Sequence, residues 1–147
     1  MEISDFITQD RIVLDIRARN KNQLLGELAK RVEPASQGIQ AETIHAALLS
    51  REALGSTGLG RGFALPHARI EGLTAFVGLF ARLARPIDYD AIDAAPVDLV
   101  FLLLMPAEAG HSHVAALAAV SRRFRDAATV ANLRKADSAA AFTTLTA

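Results

Sequence analysis

Apolar residues recur at helical spacing in two segments near the start of the chain. The first spans residues 21–33 and follows a predicted N-terminal cap at Asn20. The second spans residues 41–54. The apolar faces consist of Leu24, Leu25, Leu28 and Val32 in the first segment and of Ile44, Ala47 and Leu48 in the second. Both segments are therefore predicted to be amphipathic helices that pack on a core.

Strand-like patterns dominate the middle of the chain. Residues 11–16 are predicted to be extended, and the glycine-rich residues 55–62 to form a connection. Three strands are then predicted over residues 62–68, 74–83 and 97–105. A polar, turn-like segment at 84–96 separates the last two. The last strand, "VDLVFLLLM", is almost continuously apolar, which is typical of a strand covered on both faces.

Helical patterns return after Pro106. Three stretches are predicted to be helices, at residues 112–125, 127–135 and 138–146. Helices before and after a group of strands indicate an α/β fold with helices packed on a central sheet. No repeat or low-complexity linker divides the sequence, so residues 1–147 are predicted to form a single domain.

The composition narrows the classes of function. The chain has 147 residues, 51% of them apolar, which is enough for a hydrophobic core. Basic and acidic residues balance at 16 each, so net charge does not support a nucleic-acid partner. The absence of cysteine excludes disulfides and thiol chemistry. The N-terminus does not resemble a signal peptide and the longest apolar run is too short to span a bilayer, so we expect a cytoplasmic protein without membrane insertion.

His67 is the first candidate for chemistry. It follows Pro66 at the end of an apolar run, and because proline lacks an N–H, we expect the strand to end there at an edge. A rigid element beside glycines can present an imidazole as a nucleophile while backbone N–H groups approach an anion. A hydrogen-bonded, purely structural histidine is the alternative. The local sequence does not decide between the two.

His113 is the second candidate. If Ser112 caps the following helix, His113 lies in its first turn and in line with Leu117, Val120 and Phe124. That stripe is the predicted core face, so His113 should point inward at a helix start, where anions are favoured and an imidazolium is not. A neutral His113 with an available N–H would suit a phosphoryl oxygen. His111 precedes the helix and is expected in a solvated loop.

Other chemistries fit the sequence less well. A zinc site made of His67, His111 and His113 with Glu108 is conceivable, but histidines in a helix cap do not automatically converge. A serine hydrolase lacks support because the chain has no G-x-S-x-G turn. His45 lies between core and surface positions of the second predicted helix, and we expect it to be structural or solvated.

Two long motifs carry a family resemblance. The segment "REALGSTGLGRGFALPHARIEGL", followed by "PIDYDAIDAAPVDLVFLLLMP", resembles enzyme IIA of the fructose/mannitol class in the bacterial phosphoenolpyruvate-dependent phosphotransferase system. Within that class, the chain is most similar to the nitrogen-regulatory enzyme IIA. The resemblance covers essentially the whole chain, and it implies a central mixed β-sheet flanked by helices.

The resemblance also implies roles for particular residues. The histidine of the "PH" pair, His67, corresponds to the phosphorylated residue, and His113 to the histidine that assists it. Arg51, sixteen residues before His67, corresponds to an active-site arginine that would stabilise the phosphoryl group. Loop N–H groups near Ser56, Thr57 and Gly58 would bind the phosphoryl oxygens. No cofactor and no metal ion are expected.

The partner implied by the resemblance is a small, HPr-like phosphocarrier of the nitrogen type. Regulation of targets such as transporters or kinases is the expected output. The alternative is a sugar-transport enzyme IIA that passes phosphate to a separate enzyme IIB. The chain departs from the family pattern at Arg61, where Asn or a similar residue is common, and at Ala68, which replaces a glycine. We expect these changes to affect partner preference, and Ala68 to narrow backbone access beside His67.

Overall fold

One mixed β-sheet organises the structure. In residues 1–108 and 110–147, which the computed structural model describes, six strands form this sheet. The strands are β1 (Ile12–Ile16), β2 (Gly58–Gly60), β3 (Phe63–Ala64), β4 (His67–Ile70), β5 (Val77–Ile87) and β6 (Val97–Pro106). The predicted α/β fold with a central mixed sheet and flanking helices is confirmed.

Helices occupy both ends of the chain. The α-helices are α1 (Lys21–Val32), α2 (Ala41–Ala53), α3 (Ser112–Phe124), α4 (Ala127–Lys135) and α5 (Ser138–Thr146). Short 3-10 turns lie at Ile3–Asp5, Gln9–Arg11 and Glu33–Ala35. Asn20 caps α1 as predicted, because its side chain accepts a hydrogen bond of 2.8 Å from the Gln23 N–H. All five predicted helices therefore appear within one or two residues of their predicted bounds.

The strand order places β6 at the centre of the site-bearing half of the sheet. The order is β1–β5–β6–β3–β2, and β4 also pairs with β6, farther along the same edge as β3. The β5–β6 and β2–β3 pairs are antiparallel, whereas β1–β5, β3–β6 and β4–β6 are parallel. Strands β3 and β4 are thus two pieces of one line beside β6.

The apolar run of β6 is explained by cores on both faces of the sheet. Alternate residues of β6 belong to separate buried clusters. The cluster that includes Val100, Leu102 and Leu104 contacts α1 and α2, and the cluster that includes Phe101, Leu103 and Met105 contacts α3, α4 and α5. From Leu99 to Met105 neither face of this strand meets water, so this stretch carries no polar alternation, and the one acidic residue of β6, Asp98, is partly exposed near its start.

Three sequence predictions for the strands need correction. The predicted strand over 62–68 is split at Leu65 and Pro66, because proline has no N–H for the ladder. The predicted connection 55–62 contains β2, which pairs with β3. The turn-like segment predicted at 84–96 begins too early, since β5 continues to Ile87, which pairs with Val97.

A helix that crosses a bilayer needs about 20 predominantly apolar residues. Among the described residues, no helix is long and apolar enough to cross a membrane.

The cap of α1 gives a stability prediction. Replacing Asn20 by Ala is expected to lower the free energy of unfolding by about 1 kcal/mol, because the Gln23 N–H loses its acceptor. Urea denaturation measures the change. Gln40→Ala is the matched control, since Gln40 precedes α2 without a side-chain hydrogen bond to the helix. Equal losses in the two variants would contradict this account of the cap.

Candidate functional site

His67 begins an edge strand rather than ending one. It is the first residue of β4, and its partner on β6 is Leu103. The Leu103 N–H donates to the Pro66 carbonyl at 3.0 Å, so the chain stays attached to β6 through the break. The predicted edge location is confirmed. The prediction that a strand ends at His67 is wrong, because β4 starts there and continues to Ile70. The ring is half-buried.

The hydrogen bond made by His67 selects its tautomer. Nδ1 lies 2.8 Å from the Leu65 carbonyl oxygen, and because a carbonyl only accepts, Nδ1 carries the proton. Nε2 of the neutral ring therefore has the free lone pair. Burial lowers the pKa of His67 below its ordinary value of 6.5, and the positive charge of Arg51 lowers it further. The Leu65 hydrogen bond and the charge of Glu52 act in the opposite direction but do not reverse the shift.

Arg51 stands in the last turn of α2, the helix that packs against β4. One of its terminal nitrogens donates to the Gly55 carbonyl at 2.9 Å, which ties the side chain to the loop after the helix. A guanidinium has five N–H groups, so most of its donors stay available for an anion. Arg51 is therefore near enough for its charge to lower the pKa of His67, although the described residues show no hydrogen bond between the two side chains.

His113 points inward, as predicted. Its side chain is nearly enclosed, with a relative exposure of 4%, and its ring lies against the Phe76 ring at a centroid distance of 6.2 Å. His67 pairs with Leu103, and Nε2 of His113 lies 2.6 Å from the Pro106 carbonyl oxygen. Leu103 and Pro106, the β6 residues that contact His67 and His113, are about 10 Å apart along the strand.

The N–H expected from His113 is already in use. Because the Pro106 carbonyl accepts, Nε2 carries the ring proton, and within the described residues Nδ1 is buried without a hydrogen-bond partner. A neutral His113 therefore has a lone pair, not an N–H, left to offer. The prediction that Ser112 caps α3 is also wrong: Ser112 is the first helical residue, and His111 is the cap.

The remaining histidines do not join the site. His111 is exposed at the start of α3, and His45 lies elsewhere, with Nε2 2.8 Å from the Asn22 side-chain oxygen. The predicted structural or solvated role of His45 agrees with this contact. Across residues 1–108 and 110–147, no group of three or more His, Cys, Asp or Glu side chains is arranged to hold a metal ion.

The loop predicted to bind phosphoryl oxygens is held by internal hydrogen bonds. The Thr57 N–H donates to the Glu52 carboxylate at 3.1 Å, and the Thr57 hydroxyl donates to the same carboxylate. The Ser56 hydroxyl donates to the Tyr89 carbonyl at 3.1 Å and accepts from the Gly58 N–H, also at 3.1 Å. In this state the N–H groups of Thr57 and Gly58 shape the loop rather than face outward.

Sequence reasoning missed the residues that hold this loop. Glu52 accepts from the Lys21 ammonium at 3.0 Å and from the Tyr89 hydroxyl at 3.2 Å, in addition to Thr57. Burial and the nearby Glu52 charge raise the pKa of Tyr89 far above its usual range, so the phenol remains a donor. The sequence offers one signal for this cluster: Tyr89 is the only tyrosine of the chain, and it lies in the segment predicted to be turn-like.

The two departures from the family pattern have separate structural settings. Arg61 adopts a φ of 58°, a left-handed conformation that Asn tolerates better than most residues, and its N–H donates to Asp93 at 2.9 Å. Ala68 is buried, pairs with Leu104 and packs with the core under α1 and α2. Since His67 faces the other side of the sheet, the Ala68 methyl does not narrow access beside it, contrary to the prediction.

Large apolar side chains lie exposed on segments next to the site. Leu54 precedes Gly55, whose carbonyl binds Arg51, and Val114 follows His113. Ile92, also exposed, donates its backbone N–H to the Gly58 carbonyl at 3.1 Å. Single exposed apolar residues are common on protein surfaces, and only when several form one contiguous patch do they mark a contact with another protein.

Comparisons with known proteins identify the family and the fold. The family model for "Phosphoenolpyruvate-dependent sugar phosphotransferase system, EIIA 2" matches residues 5–146. A nitrogen regulatory protein of Bradyrhizobium diazoefficiens is 43% identical over 126 residues, which cover 86% of this chain and 82% of that protein. The crystal structure of nitrogen regulatory protein IIA-Ntr from Neisseria meningitidis superposes with a TM-score of 0.93 at 32% identity, covering 98% of this chain and 99% of that one.

A more distant structure shares the fold. The enzyme IIA in a complex of mannitol enzyme IIA with phosphorylated mannitol enzyme IIB from Escherichia coli superposes with a TM-score of 0.79 at 16% identity. The match covers 95% of this chain and 96% of that one, and at this identity it establishes the fold alone. From the family match and the identity to nitrogen regulatory proteins, we conclude that the chain belongs to the enzyme IIA type 2 family of the phosphoenolpyruvate-dependent sugar phosphotransferase system.

Proposed function

We propose that this protein is a phosphoryl-accepting regulator of the nitrogen phosphotransferase system, with His67 as the accepting residue. The donor is the phosphohistidine of an HPr-like phosphocarrier, and the phosphorylation state of His67 controls which target proteins are bound. The observation that carries the proposal is the Nδ1–H bond from His67 to the Leu65 carbonyl, which leaves Nε2 as a free nucleophile on a half-buried ring.

The chemistry follows from that tautomer. Nε2 of His67 attacks phosphorus, the phosphorus–nitrogen bond of the donor breaks, and the donor nitrogen keeps the electron pair of that bond. The proton stays on Nδ1 of His67 throughout and remains hydrogen-bonded to the Leu65 carbonyl. Such a transfer depends mainly on in-line positioning and on donors to the phosphoryl oxygens, since little proton movement is needed.

Arg51 supplies the charge that this transfer needs. Burial lowers the pKa of His67 and the Arg51 guanidinium lowers it further, which favours the neutral nucleophile; the remaining N–H groups of Arg51 are free to bind phosphoryl oxygens. The assisting role of His113 remains a prediction, because in this structure the only N–H of its neutral ring donates to the Pro106 carbonyl. Ser56, Thr57 and Gly58 contribute chiefly by shaping the loop, and their direct contact with the phosphoryl group remains a prediction.

The proposed partner surface includes the exposed apolar residues Leu54, Ile92 and Val114. Leu54 follows α2, Ile92 is hydrogen-bonded to the loop at Gly58, and Val114 follows His113, so a phosphocarrier that contacts them would touch the segments next to the predicted site residues. Buried apolar area at such a contact contributes binding free energy of about 25 cal/mol per Å² before the costs of association. The solved relative in complex with a phosphorylated enzyme IIB supports the same kind of protein-to-protein contact.

The alternative is a sugar-transport enzyme IIA that passes phosphate to a separate enzyme IIB. The identity to nitrogen regulatory proteins favours the regulatory function. Transfer from the phosphorylated protein to a purified fructose-type or mannitol-type enzyme IIB separates the two. The regulatory function predicts that the label stays on His67, whereas rapid loss of label to the enzyme IIB would favour transport.

Phosphorylation of His67 is directly testable. After incubation with phosphoenolpyruvate, enzyme I and the carrier, the wild type is expected to gain one acid-labile phosphate, and His67→Ala none. His111→Ala is the matched control, because His111 is an exposed histidine outside the site. Intact-protein mass spectrometry with and without acid treatment measures the phosphate. A wild type that gains no phosphate, or a His67→Ala variant that is labelled as well, would sink the proposal.

The lowered pKa of His67 gives a pH prediction. The neutral ring is the nucleophile, so the single-turnover rate should be constant at pH values well above the His67 pKa and fall about tenfold per pH unit below it, with a midpoint under the ordinary value of 6.5. Because the Arg51 charge lowers that pKa, Arg51→Met should raise it, and the fall should begin at a higher pH.

The comparison uses one batch of phosphorylated carrier for both proteins, so that titration of the donor cancels. NMR titration of the His67 ring gives its pKa independently of the rate. A wild-type midpoint above 6.5, or a midpoint that Arg51→Met does not raise, would contradict the assignment of the rate to neutral His67.

A further inference from the structure

A buried carboxylate lies one residue after Arg51. The Glu52 side chain has a relative exposure of 5%. In the described part of the chain it accepts four hydrogen bonds: from Lys21 at 3.0 Å, from the Thr57 N–H at 3.1 Å, from the Thr57 hydroxyl, and from the Tyr89 hydroxyl at 3.2 Å. The Lys21 ammonium also lies 4.5 Å from the centre of the Tyr89 ring. Glu52 therefore joins α1, α2, the loop and the segment after β5.

A line of hydrogen bonds leads from this carboxylate to His67. The Thr57 N–H donates to Glu52 at 3.1 Å, and the Thr57 carbonyl accepts from the Leu65 N–H at 2.9 Å. The Leu65 carbonyl then accepts from Nδ1 of His67 at 2.8 Å. The Leu65 carbonyl sets the tautomer and orientation of the His67 imidazole. Leu65 is in turn bound to Thr57, and Thr57 is bound to Glu52.

We propose that Glu52 is a positioning residue for phosphoryl transfer, which orients the His67 imidazole through Thr57 and Leu65. The proposal rests on the proposed function of His67, since positioning has meaning only if His67 accepts the phosphoryl group. Glu52 does not contact the reacting atoms and acts through the backbone that it anchors.

Position, rather than charge, is the expected contribution of Glu52. Its negative charge is paired with Lys21 at 3.0 Å. Burial already keeps His67 neutral at the pH of the reaction, so a further change in its pKa alters the reactive fraction little. A displacement of about 1 Å at a reacting group, by contrast, can cost about a hundredfold in rate.

Two conservative variants separate position from charge. In Glu52→Gln the amide oxygen can still accept from the Thr57 N–H, and the NH₂ can donate to the Thr57 and Tyr89 hydroxyls. In Glu52→Asp the charge is kept, but the carboxylate is withdrawn by about 1.5 Å, beyond hydrogen-bond reach of the Thr57 N–H. The experiment measures the single-turnover rate of His67 labelling from phosphorylated carrier, and the His67 ring by ¹⁵N NMR.

If Glu52 acts by positioning, the labelling rate of His67 should depend on whether residue 52 can still accept the hydrogen bond from the Thr57 N–H. Glu52→Gln is expected within about threefold of the wild type although the pKa of His67 falls, and Glu52→Asp at least about tenfold slower. In the NMR spectrum, Glu52→Gln should keep the proton on Nδ1 of His67, and Glu52→Asp should show mixed tautomers. A Glu52→Gln protein as slow as or slower than Glu52→Asp, or wild-type rates in both, overturns the proposal.

Controls separate this proposal from the function on which it rests. Glu27→Gln and Glu27→Asp make the same changes at a surface pair with Arg31, and both should leave the rate and the His67 spectrum unchanged. If the wild type itself is not labelled, the proposed function fails. The tautomer measurement then still decides whether Glu52 orients His67, because it needs no phosphoryl donor.

Discussion

The hydrogen bond from Nδ1 of His67 to the Leu65 carbonyl determines what the site can do, and it depends on the break between β3 and β4. In an uninterrupted strand, the residue before His67 would donate to the ladder, but Pro66 has no N–H. The chain remains attached to β6 through the Pro66 carbonyl, at 3.0 Å from the Leu103 N–H. The edge is thereby rigid enough to hold a ring and open enough to leave Nε2 free.

The two cores explain why this edge carries the site. Strand β6 is buried on both faces, so its central residues have no path to a partner protein. Beside β4 the sheet has no further paired strand in the described residues. Helix α2 packs against β4, and α3 packs against β6 as part of the other core. Arg51 and His113 therefore lie on helices that cover different faces of the sheet.

Local patterns predicted the elements, and contacts between distant segments decided the rest. The Asn20 cap, the apolar faces of α1 and α2 and the buried β6 each depend on spacing within a few residues, and the structure confirms them. The split strand depends on pairing with β6, more than 30 residues later, which no local pattern encodes. Likewise, Glu52 contacts Lys21 across 31 residues and Tyr89 across 37, so the motif that contains Glu52 does not reveal these contacts.

The neighbouring residues Arg51 and Glu52 carry opposite charges at the end of α2 and have different partners. A cation is favoured near a helix C-terminus and a carboxylate is not, so Glu52 requires the Lys21 ammonium and three further hydrogen bonds to be buried there. Arg51, tied by one bond to Gly55, keeps most of its donors. In the proposed transfer, the incoming phosphoryl group meets this positive charge, while the negative charge that would repel it is neutralised inside the fold.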